Sequence, residues 1–265
     1  MADRIAAVTD SSGRRHLPLA GLRALVTGGS SGIGAATARA FAARGALVAI
    51  GGRNAAAMQA VAADTAGVVI AGDLREPGCA ERTVSAAVDS LGGLDIVVSN
   101  AGIGWAGSFA SMSESDIDSV LDVNLRAAAH LARAAIPSLT PGQSRLVFVG
   151  SIAGLVGVPG EAWYSATKAG LGCLAEALRA ELRPAGIGVS LVSPGVVDTA
   201  FFDRRNVPYG RRHPRLISAA RIADVIADAV EHGRDDIVVP AWLSLPARLK
   251  VSFPGVYRLL AARLA

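Results

Sequence analysis

Short runs of β-branched and other apolar residues alternate along the chain with longer stretches in which apolar positions recur every three or four residues. The short runs predict strands at Ala24–Thr27, Leu47–Gly51, Val68–Ala71, Ile96–Ser99, Leu146–Gly150, Gly188–Val192 and Ile237–Val239. Between them, Gly32–Arg44, Ala55–Ala63, Cys79–Leu91, Glu114–Ile136, Ala162–Arg183 and Ala219–Glu231 carry the spacing of helices. Strand, helix and strand in succession mean parallel pairing through right-handed crossovers. Several strands (ALVT, IVVS, LVFV) are apolar throughout, as expected when helices cover both faces of a sheet. The pattern predicts an α/β fold with one doubly wound parallel sheet. No internal repeat, low-complexity linker or charge block divides it.

Ligands of such a sheet bind outside the carboxyl ends of its strands, so the residues after each strand are where chemistry is expected. After the first strand comes TGGSSGIG, Thr27 to Gly34. Gly28, Gly32 and Gly34 allow a tight turn and close approach of backbone to a pyrophosphate. The helix that follows turns its N-terminus toward the negative charge. Ser30, Ser31 and Ile33 belong to the same expected contact. The second strand runs into Gly51-Gly52-Arg53, without the acid that would accept hydrogen bonds from an NAD ribose. A guanidinium at Arg53 suits a 2′-phosphate, so NADP is the expected cofactor and NAD the alternative. After the third strand, Asp73 and Leu74 could meet an adenine, or Asp73 could cap the next turn. After the fourth, Asn100, Ala101 and Gly102 put a short polar side chain and bare backbone beside the cofactor, or form an ordinary loop. After the sixth, Pro194 and Gly195 break the strand. With Val197 and Thr199, they offer a rigid seat for a nicotinamide ring and its carboxamide.

The fifth strand ends at Ser151, and Tyr164 and Lys168 follow within WYSATKAG. Their separation of four residues places them on one face of a helix. Lys168 and Lys250 are the only lysines among 26 Lys+Arg residues, so a lysine at this position is a departure from the chain's habit. An ammonium beside a phenol favours the phenolate and would lower the tyrosine from its ordinary pKa of about 10. Tyr164 is therefore the candidate general acid–base. Asn124, in DVNL, is a polar residue inside a helical run, either with a task or exposed at the surface.

Taken together, these residues resemble the short-chain dehydrogenase/reductase family. The resemblance rests on TGGSSGIG at 27–34, Asp73, SNAG at 99–102, Asn124, Ser151, the Tyr164–Lys168 pair and Pro194-Gly195, in family order and spacing from about residue 22 to 240. One departure is Ser99, where the family usually has asparagine. Another is Ser31, where some NADP-using members have a basic residue. The resemblance implies a Rossmann-type sheet of about seven strands and reversible hydride transfer between a nicotinamide and a carbonyl or alcohol. It implies a tetrad at matching positions. Tyr164 would exchange the proton, and Lys168 would lower its pKa and hold the ribose. Ser151 would bond the substrate oxygen, and Asn124 would hold a water relaying protons from Lys168 to solvent.

Composition then narrows the picture. Mean hydropathy is +0.41, yet no apolar run is long enough to span a bilayer. The first residues lack the apolar core of a signal peptide, so a cytoplasmic location is expected. Cys79 and Cys173 form no metal-ligand pattern and are expected to be small buried residues. A net charge of +4 is too small and too dispersed to argue for nucleic acid. Ile103, Trp105, Ile152, Leu155, Val156, Val158, Trp163, Val196, Phe201 and Phe202 follow the fourth to sixth strands, and together they imply a hydrophobic ketone or secondary alcohol as substrate. A 3-oxoacyl-carrier reductase is the alternative, and a non-catalytic dinucleotide-sensing protein a further one. The segment 199–214 is expected to be a mobile lid. Its Arg204, Arg205, Arg211 and Arg212 either bind an acidic group or face solvent.

The expected organisation is an N-terminal extension at 1–20, a dinucleotide-binding catalytic domain at 21–240, and an apolar, basic tail at 241–265. The tail would pack on the domain or on a partner subunit of a homodimer or homotetramer. Peripheral membrane contact is the less favoured alternative. Pro246 and Pro254 are expected to prevent a continuous helix there.

Overall fold

A computed structural model of the chain describes residues 8–9, 15–205, 207 and 215–264. Seven strands pair in parallel in one sheet: β1 (Arg23–Thr27), β2 (Leu47–Gly52), β3 (Val68–Ala71), β4 (Ile96–Ser99), β5 (Arg145–Val149), β6 (Gly188–Pro194) and β7 (Asp236–Val239). Their order across the sheet is β7-β6-β5-β4-β1-β2-β3. The chain builds outward from β1, returns to its other side, and builds outward again from β4. A crevice therefore opens at the carboxyl ends where β1 and β4 lie side by side.

The helices are α1 (Gly32–Ala43), α2 (Ala55–Thr65), α3 (Cys79–Leu91), α4 (Glu114–Leu121), α5 (Ala127–Ala135), α6 (Ile152–Val156), α7 (Ala162–Leu182), α8 (Phe201–Arg204), α9 (Ala219–Glu231), α10 (Ser244–Ser252) and α11 (Pro254–Leu264). Successive residues of a strand face opposite sides, so a wholly apolar strand feeds two cores. Ala24 and Val26 of β1 pack in a cluster with Phe41 of α1, Met58 of α2 and Ile222 of α9. Leu25 faces the other way, into a cluster with Val84 of α3, Leu131 of α5 and Leu171 of α7.

Three details differ from the expected elements. The helix expected over 114–136 is interrupted by a π-helical turn at Asp122–Arg126, with α4 before it and α5 after. Such turns insert an extra residue and are frequent at functional sites. β6 continues to Pro194, which stands in register with Val239; a missing N–H is tolerated at a strand's last position. Cys173 is exposed on α7, whereas Cys79 is buried as expected.

The tail forms two helices broken at Phe253. Pro246 does not interrupt α10, because it lies in the first turn, where the N–H has no partner to lose. Lys250 Nζ donates to the Leu155 carbonyl at 2.9 Å, and the Tyr257 hydroxyl donates to the Val156 carbonyl at 3.1 Å. The tail thus folds back on α6. Among the described residues, no helix is long and apolar enough to cross a membrane.

A buried ion pair fastens the start of β1 to the turn before β4. Arg23 Nε lies 2.7 Å from Asp95 Oδ2, and its Nη2 lies 2.8 Å from Oδ1. Asp95 is 1% exposed. Burial by itself would raise its carboxyl; the Arg23 hydrogen bonds outweigh that and hold it below the usual carboxylate range. This stabilisation is present above the ordinary carboxylate pKa and is lost as pH falls through the folded value. Arg23→Ala, which strands the carboxylate, is expected to lower unfolding free energy at neutral pH by about 3 kcal/mol. Urea melts of both proteins at neutral and acid pH would measure this, the gap closing on the acid side. An unchanged midpoint at neutral pH would contradict the assignment.

Candidate active site

The glycine-rich turn joins β1 to α1 and is shaped by the neighbouring strand end. Thr27 Oγ1 donates to the Val98 carbonyl at 3.1 Å and accepts from the Asn100 amide at 3.1 Å. Asn100 Nδ2 donates to the Thr27 carbonyl at 3.0 Å. Gly28 has φ +65, and a Cβ on Gly34 would lie 2.3 Å from the Gly28 carbonyl oxygen. No side chain can occupy that place without moving backbone. Ser31 is the N-cap of α1 but makes no side-chain cap, and the first turn has no acid. The helix N-terminus thus retains the open amides and positive end that an anion requires. Of the neighbouring residues, Ser30, Ile33 and Ala101 are half-buried and Gly102 is exposed.

At the outer edge, Arg53 is exposed after β2, its Nη1 3.8 Å from Asp73 Oδ2. Asp73 accepts from the Arg75 amide at 3.0 Å and is held by the Arg75 guanidinium at 2.6 Å, chiefly through which its carboxyl lies below the ordinary range. It therefore caps its turn, one of the two roles expected for it; Leu74 lies within the same turn.

Ser151, Tyr164 and Lys168 converge at the end of β5. Ser151 caps α6, its hydroxyl accepting from the Ala153 amide at 3.2 Å, and it hydrogen-bonds Tyr164. α6 presses on α7 at Gly154, where a Cβ would stand 2.7 Å from the Lys168 backbone. Tyr164 and Lys168 are both buried, and Lys168 Nζ donates to the Val149 carbonyl at 2.8 Å. Asn124, from the π turn, is also buried rather than at the surface. Its Oδ1 accepts from the Ile103 amide at 2.8 Å, and its Nδ2 donates to the Ile103 carbonyl and to Thr167 Oγ1. Gly102 stands between: a Cβ there would lie 3.3 Å from Asn124 Oδ1 and 3.6 Å from Lys168 Nζ.

The electrostatics depart from expectation. Burial pushes the Tyr164 phenol up to about 12, against the lowering effect of the Ser151 hydrogen bond. Burial takes the Lys168 amine down to about 8. The ammonium is committed to a carbonyl and sits 5.9 Å from the Tyr164 ring centre, so desolvation of the phenol dominates. Lys168 therefore does not draw the phenol toward neutrality in this arrangement.

The segment after β6 closes over the site. Gly195 donates its amide to the Val239 carbonyl at 2.7 Å. Val197 is buried in the core and pairs with Ile217, so only its backbone can face the crevice. Thr199 lies against Gly32, where a Cβ would come within 3.1 Å of its methyl. Phe201 of α8 packs on the Tyr164 ring at 5.6 Å between centres and against Gly104. Arg205 is paired with Glu161 and stacks on Phe202 at 4.5 Å. Arg204 Nη2 reaches Ser31 Oγ at 3.1 Å. Arg205 is held away from solvent, whereas Arg204 remains exposed; Arg211 and Arg212 lie outside the described residues. No local pattern in the sequence marks Glu161 or the reach of Arg204. Trp163, expected on the substrate side, donates its indole N–H to the Ile117 carbonyl at 2.8 Å and ties α7 to α4.

The sequence profile of the family described as "short chain dehydrogenase" matches residues 23–209. The chain is 31% identical over 227 residues to the ketoacyl reductase HetN of a Nostoc species, covering 83% of this chain and 79% of that protein. A short-chain dehydrogenase from Burkholderia cenocepacia, solved with NADP, superposes with a TM-score of 0.77 at 35% identity, over 83% of this chain and 97% of that one. A short-chain dehydrogenase/reductase from Burkholderia phymatum, solved with NAD, gives a TM-score of 0.81 at 25% identity, over 88% and 94%.

The buried amine makes stability depend on pH. Between about 8 and its ordinary value of about 10.4, Lys168 binds its proton less in the fold than in the unfolded chain. Stability therefore rises with pH across that window. Tyr164 acts oppositely, but only above about 10. Lys168→Met should abolish the rise between about pH 8 and 9.5, read from urea midpoints of variant and parent. Parallel pH profiles would refute the assignment of the lowered amine.

Proposed function

Because the chain belongs to the short-chain dehydrogenase/reductase family, we propose that it uses NADP(H) to interconvert an apolar ketone and its secondary alcohol. The observation that carries this reading is the convergence of Ser151, a protonated Tyr164 and Lys168 beside an open glycine-rich turn. The chain is an oxidoreductase with a nicotinamide dinucleotide cofactor. NADP rather than NAD, and the substrate, are the finer parts of the proposal.

The residues present fit the dinucleotide. The turn at Gly28–Gly34 leaves a cradle that a Cβ would fill, and α1 offers uncapped amides. These groups would take the pyrophosphate, joined from the lid by Arg204. Asn100, Ala101 and Gly102 would border the ribose side, Asp73 and Leu74 the adenine side. Pro194, Gly195, Val197 and Thr199 would seat the nicotinamide end. Arg53 would meet a 2′-phosphate, for which its exposed guanidinium at the end of β2 is suited. When bound, the dinucleotide supplies or accepts the hydride.

The chain's own residues manage the oxygen and the proton. Ser151 donates a hydrogen bond to the substrate oxygen and steadies charge as it develops. Tyr164, protonated at neutral pH, gives its proton to that oxygen. In the reverse direction the same hydroxyl, deprotonated, would accept the proton. Lys168 restores the proton. Asn124 fixes the Ile103 peptide and keeps a lone pair of Oδ1 for a water leading from Lys168 to solvent. Phe201, with Ile103, Trp105 and Ile152, gives the mouth its apolar character. A cytoplasmic homo-oligomer remains part of this reading. The likeness to a protein named ketoacyl reductase favours one second reading, reduction of a 3-oxoacyl thioester. Turnover of acyl-carrier thioesters without turnover of free ketones would decide for it.

Tyr164→Phe is expected to lower turnover on a ketone panel by a factor of about a thousand or more while leaving NADPH affinity near that of the parent. Activity retained in steady-state assays would refute the proton-donor role. Arg53→Ala should weaken NADPH by about tenfold or more and NADH hardly at all. Equal losses in fluorescence titrations would show that Arg53 does not read the phosphate.

A further inference from the structure

Residues 241–265 lie beyond the part of the chain that the family profile matches, and their charge sets them apart. They hold four of the chain's 26 Lys and Arg residues (Arg248, Lys250, Arg258 and Arg263) and none of its 22 acids. The other 240 residues carry 22 of each sign. The whole formal charge of +4 therefore belongs to this segment.

Apolar exposure is concentrated in the same place. Among the described residues, 11 large hydrophobic side chains are exposed, and seven of them lie between Trp242 and Leu260. Val256, Leu259 and Leu260 share one face of α11 at helical spacing. Tyr257, about 100° round the helix from Val256, bonds α6 on the flank of that face, and exposed Arg258 follows on the side away from it. At the root of the tail, Trp242 shares an open cavity of about 590 Å³ with Arg215, Leu216 and Arg221, which adds two guanidinium groups and another exposed leucine to that edge.

We propose that α10 and α11, with the Trp242 edge, form a docking surface for an anionic phospholipid bilayer, on which the protein lies peripherally. Exposed leucines, a tryptophan and a phenylalanine suit the boundary between headgroups and acyl chains, while arginines on the same hairpin suit lipid phosphates. A second copy is the poorer occupant: face-to-face packing would set four cations against four with no acid between them. The hairpin is also bonded to the last carbonyls of α6, whose cap is Ser151. An apolar substrate dissolved in the bilayer would then reach the site beside its dock, a consequence that rests on the function proposed above.

The test is co-sedimentation of the full chain with vesicles of phosphatidylcholine alone or with added phosphatidylglycerol. Binding is expected to the anionic vesicles, to weaken with salt, and to be slight on the neutral ones. Arg248→Gln with Arg258→Gln should lower partitioning about 30-fold. Val256→Ser with Leu259→Ser should lower it as well, with melting temperature and NADPH binding unchanged in both variants. The proposal falls if the parent binds neither vesicle, or if the variants bind as the parent does. It falls too if light scattering shows a dimer that only the serine variant loses and no vesicle binding. The measurement involves no turnover, so its failure leaves the oxidoreductase reading standing.

Discussion

The ammonium of Lys168 is buried against a single carbonyl, that of Val149, and no ion pair among the described residues offsets the loss of water around it. An arrangement of this kind costs stability, and such costs gather where function requires them. Much of the surrounding structure follows from keeping that amine in place. β5 must end where α7 passes. α6 must touch α7 at a residue without a side chain, Gly154. Gly170 must let α7 approach Leu125, within 3.0 Å of where its Cβ would be. The π turn must turn Asn124 inward, next to Gly102 and the amine.

The acidity of Tyr164 and the position of α8 are parts of one effect. Phe201 lies on the phenol ring, and Arg205, paired with Glu161 and stacked on Phe202, holds α8 in that position. Covering the ring removes water from it, and that removal is the chief cause of the raised pKa. The same packing that seats α8 against Tyr164 therefore contributes to the dryness of the phenol.

The fold was legible because burial on both faces leaves strands such as Val147–Val149 wholly apolar, a signature that side-chain alternation elsewhere does not mimic. The convergence of Ser151, Tyr164 and Lys168 was legible because one stands at a strand end and the other two at a fixed helical offset, whereas Asn124 lies within the π turn. Three things were not. The π turn carries the same apolar spacing as the helix on either side, so nothing in the pattern announces it. The contacts of Arg204 and Arg205 join residues 173 and 44 positions away. The Tyr164 shift came out with the opposite sign because spacing reveals which groups are neighbours, whereas desolvation depends on everything packed around them.

The brace between the ends of β1 and β4 joins residues 73 positions apart. Asn100, from the second half of the sheet, thus clamps a turn that belongs to the first half. A change that loosened β4 against β1 would disturb the glycine-rich turn without touching any of the turn's own residues.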